Sequence, residues 1–265
     1  MANSSPKAQF SKLTEHFRQY EKLAVAFSGG VDSTLTLHAA MTALGIKRVI
    51  AFYALSTLNS ASAIAVARTT FTTNFPASAV LREIAVAPLL WPEFVINTED
   101  RCYLCKKRMY TLLGEAMAAE GFSILADGTN ADDLQEQRPG LKAIRELQVK
   151  TPLAEVGLTK SEIRFIARNE GLSNFDLPSN SCLATRIEPG STITEEGLRI
   201  IENAENFLHD RGFVGCRVRP RKDFILVEVQ EKDLAAFIEN GNREEVRAYF
   251  KRLQEGTVML NLAGR

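Results

Sequence analysis

Seven consecutive residues, Ser28-Gly29-Gly30-Val31-Asp32-Ser33-Thr34, bring together three hydroxyls, a glycine pair and a carboxylate. They follow directly on the apolar run Leu23-Ala24-Val25-Ala26-Phe27. This order predicts a short buried strand, a turn through Ser28, Gly29 and Gly30, and a helix opening near Val31 to Thr34. The glycines adopt backbone angles closed to other residues and let a ligand approach the main chain. Unbonded N–H groups at the helix start, with the helix dipole behind them, form an anion site. Ser28, Ser33 and Thr34 add hydroxyl donors. Asp32 is awkward beside phosphate alone, so it implies a bound Mg²⁺ or a polarised turn. Open α/β sheets bind ligands at the carboxyl ends of their strands, which separates this reading from that of an ordinary polar turn.

A second turn of related chemistry is Asp127-Gly128-Thr129-Asn130, which follows the apolar Phe122-Ser123-Ile124-Leu125-Ala126 and leads into Asp132 and Asp133. Gly128 permits close backbone approach, and the two aspartates either hold Mg²⁺ or cap a turn. Alone it is ordinary loop chemistry; paired with the first loop it reads as the second side of a nucleotide site. The first loop lacks the Gly-Lys-Ser/Thr ending of a Walker A loop and the spacing of a dinucleotide fingerprint. It resembles the SGGxDS pyrophosphate loop of the ATP pyrophosphatase (PP-loop) superfamily. That resemblance implies cleavage of ATP between the α and β phosphates and adenylation of a carbonyl or carboxyl oxygen. It also implies ATP contacts from Ser28, Gly29, Gly30, Asp32, Ser33, Thr34, Gly128, Thr129 and Asn130.

Sulfur chemistry is the next signal. Cys102 and Cys105 form a CxxC within Arg101-Cys102-Tyr103-Leu104-Cys105-Lys106. Two thiols three positions apart on a helix face the same way and can share a metal or cluster, act as a redox pair, or be coincidental. Cys182 lies in the irregular segment Pro178-Ser179-Asn180-Ser181-Cys182-Leu183-Ala184-Thr185-Arg186-Ile187. A polar loop is an unusual setting for a structural cysteine, and Arg186 would lower the thiol's pKa. Cys216 sits in a predicted strand and reads as core. Three cysteines do not close a four-ligand zinc site without help, and His16, His38 and His209 are remote in sequence. Three thiolates do suit a [4Fe–4S] cluster with one open iron.

Arg217, Arg219 and Arg221 alternate and so share one face of a strand. The stripe suits a phosphate monoester, or else protects an edge strand from pairing. Lys106 either balances charge developing on ATP phosphates or belongs to the surface run Lys106 to Arg108. Trp91 reads as core packing.

SGGVDST, RCYLCK, DGTNADD, PSNSCLATRI and CRVRPR together, in this order and across essentially the whole chain, are similar to the LarE family. The resemblance implies an ATP-dependent sulfur transferase that adenylates a carboxylate of pyridinium-3,5-biscarboxylic acid mononucleotide. Sulfur delivery then gives a thiocarboxylate, in biosynthesis of the nickel-pincer nucleotide cofactor. With three cysteines the chain resembles the iron–sulfur form of that family, in which Cys102, Cys105 and Cys182 hold the cluster. In the other form a single loop cysteine, here Cys182, is sacrificed. Catalytic roles then fall to Cys182, Lys106 and Asp32, and Arg217 and Arg219 hold the substrate phosphate. ATP, Mg²⁺, a [4Fe–4S] cluster, a sulfide donor and a homo-oligomer are the implied companions. The alternatives are a PP-loop tRNA 2-thiolation enzyme with a [4Fe–4S] cluster, a ligase using ammonia, and a non-catalytic nucleotide-binding scaffold.

These residues need a frame. Helices are expected at 8–20, 31–44, 61–75, 98–120 and 160–169, alternating with strands at 23–27, 48–55, 79–85 and 122–126. That alternation predicts an α/β fold, a doubly wound parallel sheet of the PP-loop (adenine nucleotide alpha hydrolase-like) kind. The Pro/Ser/Asn/Gly-rich stretch 176–193 marks a boundary between a PP-loop domain at 1–180 and a smaller α+β domain at 190–265 for substrate or oligomer contacts. The second part is expected to contain a helix at 195–211, strands near 216–219 and 224–229, and helices at 231–239 and 243–254. Of 265 residues, 45% are hydrophobic, and 32 basic residues balance 32 acidic ones. Zero net charge argues against a broad nucleic-acid surface. No apolar run approaches membrane-spanning length and the N-terminus lacks a signal-peptide core, so a cytoplasmic location is expected.

Overall fold

The computed structural model describes residues 5–135, 139–178, 181–253 and 257–265. In chain order the elements are α1 (Pro6–Phe17), β1 (Leu23–Ala26), α2 (Val31–Leu44), β2 (Val49–Leu55), α3 (Ala61–Asn74), β3 (Leu81–Ala85), α4 (Pro92–Val95), α5 (Arg101–Ala119) and β4 (Leu125–Ala126). There follow α6 (Ala131–Gln135), α7 (Pro139–Glu146), α8 (Pro152–Glu155), α9 (Lys160–Asn169), α10 (Glu195–His209), β5 (Arg217–Pro220), β6 (Phe224–Glu228), α11 (Leu234–Ile238), α12 (Asn240–Leu253) and β7 (Thr257–Leu260). Two compact units emerge. The first contains Met1–Ser56, Ala61–Val86 and Asp100–Leu177, and the second Thr57–Ser60, Ala87–Glu99 and Pro178–Arg265.

The first unit is built on a parallel sheet of order β3-β2-β1-β4. Parallel sheets are covered on both faces, so their strands read as continuous apolar runs. In β1, Leu23 and Val25 join the core formed with Leu13 and Phe17 of α1, Leu35 of α2 and Ile163 and Ile166 of α9. Ala24 turns the other way, to the core formed with Tyr110, Leu113 and Met117 of α5 and Ile144 of α7. This is the doubly wound α/β arrangement expected from the sequence. The helix expected at 31–44 ends at Gly45, whose φ of 85° excludes most side chains. At α9, Thr159 accepts from the Glu162 N–H while Glu162 accepts from the Thr159 N–H, a reciprocal cap.

The second unit carries a mixed sheet, with β5 antiparallel to β6 and β6 parallel to β7. Ile225 and Val227 of β6 point into a core with Leu208, Val218, Phe237, Val246 and Phe250. Residues 57–60 and 87–99 are stitched to the later chain by backbone bonds, Leu183 N–H to Leu58 O and Ile193 N–H to Val95 O. Asn97, wholly buried at φ 61°, donates from its side chain to the Glu188 and Ser191 carbonyls. Those two bonds offset the strain of a left-handed conformation that asparagine tolerates better than most residues. The sequence reading missed β7, α4, α6, α7 and α8. It also ran α5 too far toward the N-terminus, where the separate turn α4 precedes it. Gln254, at the end of the last expected helix, lies outside the described residues, as do Ser179 and Asn180 of the PSNSCLATRI segment. No helix among the described residues is long and apolar enough to cross a membrane.

Candidate functional site

In the first unit the two glycine turns leave the carboxyl ends of neighbouring strands. β1 and β4 are paired, with Ala24 opposite Leu125 and Val25 opposite Ala126. The chain winds outward to β2 and β3 on one side of β1 and returns to β4 on the other. The gap between β1 and β4 is therefore the switch point at which open sheets form their ligand crevice. Gly29, at φ 79°, lies so close to α3 that an added Cβ would stand 2.5 Å from the Ala67 Cα. At Gly128 a Cβ would stand 2.7 Å from the Ser33 backbone nitrogen. The second glycine thus brings the β4 turn directly against the first turn of α2.

That first turn is ready for an anion. The first helical bond runs from the Thr34 N–H to Gly30 O, so the preceding N–H groups have no carbonyl within the helix. Ser28 is exposed, and its hydroxyl shares a hydrogen bond with the Ser33 hydroxyl. Thr34 is fully buried. Its hydroxyl donates to Gly30 O and accepts from Asn174 Nδ2, which is also bonded to Gly29 O. Thr34 therefore shapes the loop from behind. Asn174, 1% exposed, is a loop-holding residue that sequence reasoning missed. Thr129 and Asn130 are buried too, and Asn130 and Asp133 cap each other reciprocally. Asp132 accepts from the Lys160 N–H at the start of α9, so both aspartates have capping roles here.

Asp32 Oδ2 is paired with Lys160 Nζ, while Asp32 Oδ1 is buried and has no partner among the described residues. Lys160 is the second functional candidate the sequence reading passed over. Its only local signal was its place after the Thr159 cap. Lys106 is not part of a surface run: its ammonium lies 3.4 Å from Asp127 Oδ2 and over the Tyr110 ring. Tyr110 donates to the same Asp127 oxygen, and burial, followed by the charge of Asp127, pushes its phenol well above 10. Lys106 is thus tethered to the residue that begins the β4 turn.

Cys102 and Cys105 occupy the first turns of α5 in this unit, and Cys102 is exposed with the Arg101 guanidinium 3.6 Å from its sulfur. Cys182 belongs to the second unit, at the entrance to a short 3₁₀ turn, Leu183–Arg186. Among the described residues no group of three or more His, Cys, Asp or Glu side chains is gathered to hold a metal ion. Cys216 is core, as expected, and burial pushes its thiol up to about 12.

Strand β5 in the second unit turns Val218 into the core and leaves Arg217 and Arg219 on the opposite face. Arg219 is already engaged, donating to Glu228 at 2.8 Å and to Thr185 O at 2.6 Å. Arg217 differs. Its Nε is buried and has no partner among the described residues. Burial, reinforced by Arg265, Arg186 and Arg219, pushes it down to about 10. A guanidinium held near other cations with an unsatisfied donor is suited to an anion. Arg186 pairs with Glu205 and donates to the Ser181 and Cys182 carbonyls.

Three known proteins align with nearly the whole chain. An uncharacterized protein of Synechocystis is 31% identical over 268 residues, covering 97% of this chain and 95% of that protein. An uncharacterized protein of Methanocaldococcus jannaschii is 31% identical over 253 residues, covering 95% and 93%. Pyridinium-3,5-bisthiocarboxylic acid mononucleotide synthase of Lactiplantibacillus plantarum is 29% identical over 252 residues, covering 95% and 90%. No family model matches.

Proposed function

The chain belongs to the family of the Synechocystis and Methanocaldococcus proteins, with distant homology to the Lactiplantibacillus synthase, and we propose that it is an ATP-dependent sulfur transferase of the same kind. Its substrate in this reading is pyridinium-3,5-biscarboxylic acid mononucleotide, and its product a thiocarboxylate. The observation that carries the reading is the pair of glycine turns at the β1/β4 switch point, with Gly128 pressed against the α2 first turn.

The first-turn N–H groups of α2, with Ser28 and Ser33, bind ATP phosphates. Asp32 Oδ1, a buried carboxylate oxygen without a partner among the described residues, fits a Mg²⁺ ion, which would neutralise phosphate charge there. Lys106 and Lys160 bring positive charge to the two turns, through Asp127 and Asp32. A substrate carboxylate oxygen attacks the α-phosphorus and pyrophosphate leaves. This step is needed because a carboxylate oxygen is a poor leaving group. Attack of a sulfur nucleophile on the acyl carbon then forms a C–S bond and breaks the C–O bond, and AMP departs. Arg217 receives the nucleotide's phosphate, and Arg219 braces the strand beside it.

The thiols Cys102, Cys105 and Cys182 are chemically suited to iron, and a [4Fe–4S] cluster held by them would supply a transferable sulfide. The test is anaerobic mass spectrometry after incubating reconstituted protein with ATP, a sulfide source and the dicarboxylated pyridinium mononucleotide. Exchange of oxygen for sulfur with release of AMP is expected. An intact Cys182 marks the cluster route, and dehydroalanine at that position marks sacrifice. An unchanged small molecule refutes the proposal and brings forward tRNA thiolation.

A further inference from the structure

The roles above leave the pair Arg186–Glu205 unexplained. Arg186 is among the most deeply buried charges of the second unit, its side chain 3% exposed. Its Nε and Nη2 donate to the two oxygens of Glu205 at 2.8 and 3.0 Å, a bidentate pair. Its Nη1 lies within hydrogen-bonding reach of Ser181 O, Ser181 Oγ, Cys182 O and Thr185 Oγ1. On the other side, Glu205 Oε1 accepts from the Val218 N–H at 3.0 Å. Val218 is the residue between Arg217 and Arg219. One guanidinium and one carboxylate therefore connect the backbone of Cys182 to the strand that presents Arg217. Two further straps run the same way, Arg219 to Thr185 O and Arg221 to Arg186 O.

Stability alone does not call for such a pair, because a buried ion pair is commonly replaceable by apolar residues without loss. Charge supplies a reason. Arg186, Arg219 and Arg265 all act on Arg217, with Glu228 opposing them. Glu205 neutralises Arg186, and Glu228 neutralises Arg219. The charge of Arg217 is then left to act on a ligand.

We infer that Arg186 and Glu205 are positioning residues that hold the Cys182 loop in register with the Arg217 anion site, and that the Glu205 carboxylate sets how strongly that site attracts a phosphate. The inference rests on the proposed phosphate role of Arg217 but not on sulfur transfer, so its test uses neither ATP nor the pyridinium nucleotide. Two variants separate the functions. Glu205→Gln removes the charge and keeps one accepting oxygen, enough for the Val218 N–H and Arg186 Nε but not for Arg186 Nη2, so it halves the fork and leaves Arg186 as an uncompensated cation beside Arg217. Arg186→Lys keeps the charge but loses the planar fork that reaches both Glu205 and the loop carbonyls.

Full-length, chelator-treated protein is titrated with inorganic phosphate by calorimetry, and iodoacetamide labelling of each cysteine is followed by peptide mass spectrometry. In Glu205→Gln, phosphate binding is expected to tighten by about threefold or more, the effect of one added charge at short range. Cys182 labelling should accelerate in both variants, while Cys216 stays protected. Phosphate affinity in Arg186→Lys should stay within about twofold of the parent, since the charge count is unchanged. Weaker phosphate binding in Glu205→Gln overturns the inference, as does Cys182 labelling at the parental rate in both variants. Should Glu205→Gln fail to fold, unaltered Cys182 labelling in Arg186→Lys is sufficient to overturn it. Labelling that rises equally at Cys182 and Cys216 also overturns it, because it marks a general loss of structure.

Discussion

Replacing Arg217 by methionine should make the protein more stable while removing its affinity for phosphate. The guanidinium is partly buried, its Nε lacks a partner among the described residues, and three other arginines act on it. Its fall from the ordinary arginine range to about 10 means that folding disfavours the charged form. The sign follows: the penalty is fully present below about pH 10 and is relieved only as pH rises from there toward the ordinary arginine value. It therefore applies throughout the working range. At about 1.4 kcal/mol per tenfold change in the protonation equilibrium, the upper bound is about 3 kcal/mol. Solvent reaches part of the group, and screening reduces this to about 1 kcal/mol. In a chain of this size that corresponds to a gain in melting temperature of about 2–4 °C. Methionine preserves most of the stem's packing volume without the charge. The assay is thermal denaturation of both proteins with and without inorganic phosphate, repeated at high salt. The parent should gain stability with phosphate and the variant should not, while salt should narrow the difference between them. A variant destabilised by about 1 kcal/mol or more, or one stabilised by phosphate as much as the parent, would refute the claim that Arg217 is held under charge stress for a ligand.

The nucleotide crevice and the thiols yield two further expectations. Gly128→Ala places a methyl group 2.7 Å from the Ser33 nitrogen, against backbone that has no rotamer to change. Forced repacking should destabilise the protein by about 1–3 kcal/mol, and binding of a non-hydrolysable ATP analogue should weaken at least tenfold by calorimetry, about 1.4 kcal/mol. Gly114→Ala, in the middle of α5 with open space around it, should instead stabilise by up to about 1 kcal/mol and leave ATP binding unchanged. Equal effects from the two alanines would remove the steric argument. Cys216, its thiol pushed up to about 12 by burial, should resist alkylation at pH 8 until the protein unfolds, while exposed Cys102 reacts in the native state. Native labelling of Cys216 at the Cys102 rate would contradict its place in the core.

Much of the frame was legible because the local signals agreed with one another. Strand β1 is apolar at every position since it is buried on both faces, and Gly45 and Thr159 mark the ends of their helices by backbone chemistry that no distant residue alters. The glycine turns were legible for the same reason. What the sequence hid depended on residues far apart in the chain. Asn174 holds a loop 145 positions away, and Lys160 meets Asp32 across 128. Neither belongs to a spacing that marks it locally. Arg186 was noticed for its nearness to Cys182, but its partner Glu205 lies on a helix face among other acidic residues. Glu205 differs from them only because β5 packs above it. The strand β7 was missed because Thr257-Val258-Met259-Leu260 is short and lacks a clean alternation of polar and apolar residues.

The second unit draws its residues from three stretches of the chain, and this fixes when it can form. Asn97 leaves the ribosome long before the carbonyls of Glu188 and Ser191 that its side chain will bond, which lie 91 and 94 residues later. At about 5–20 residues per second of synthesis, that interval is of the order of 5–20 s. The sheet of the first unit has every strand by Ala126 and is free to assemble meanwhile. Residues 87–99 must then wait for the later part of their own unit, with Trp91 and Phe94, both buried at the end, still unshielded. A truncation after Leu177 would leave that segment permanently without its partners, so a shortened first unit would carry an adhesive apolar strip that the complete chain conceals.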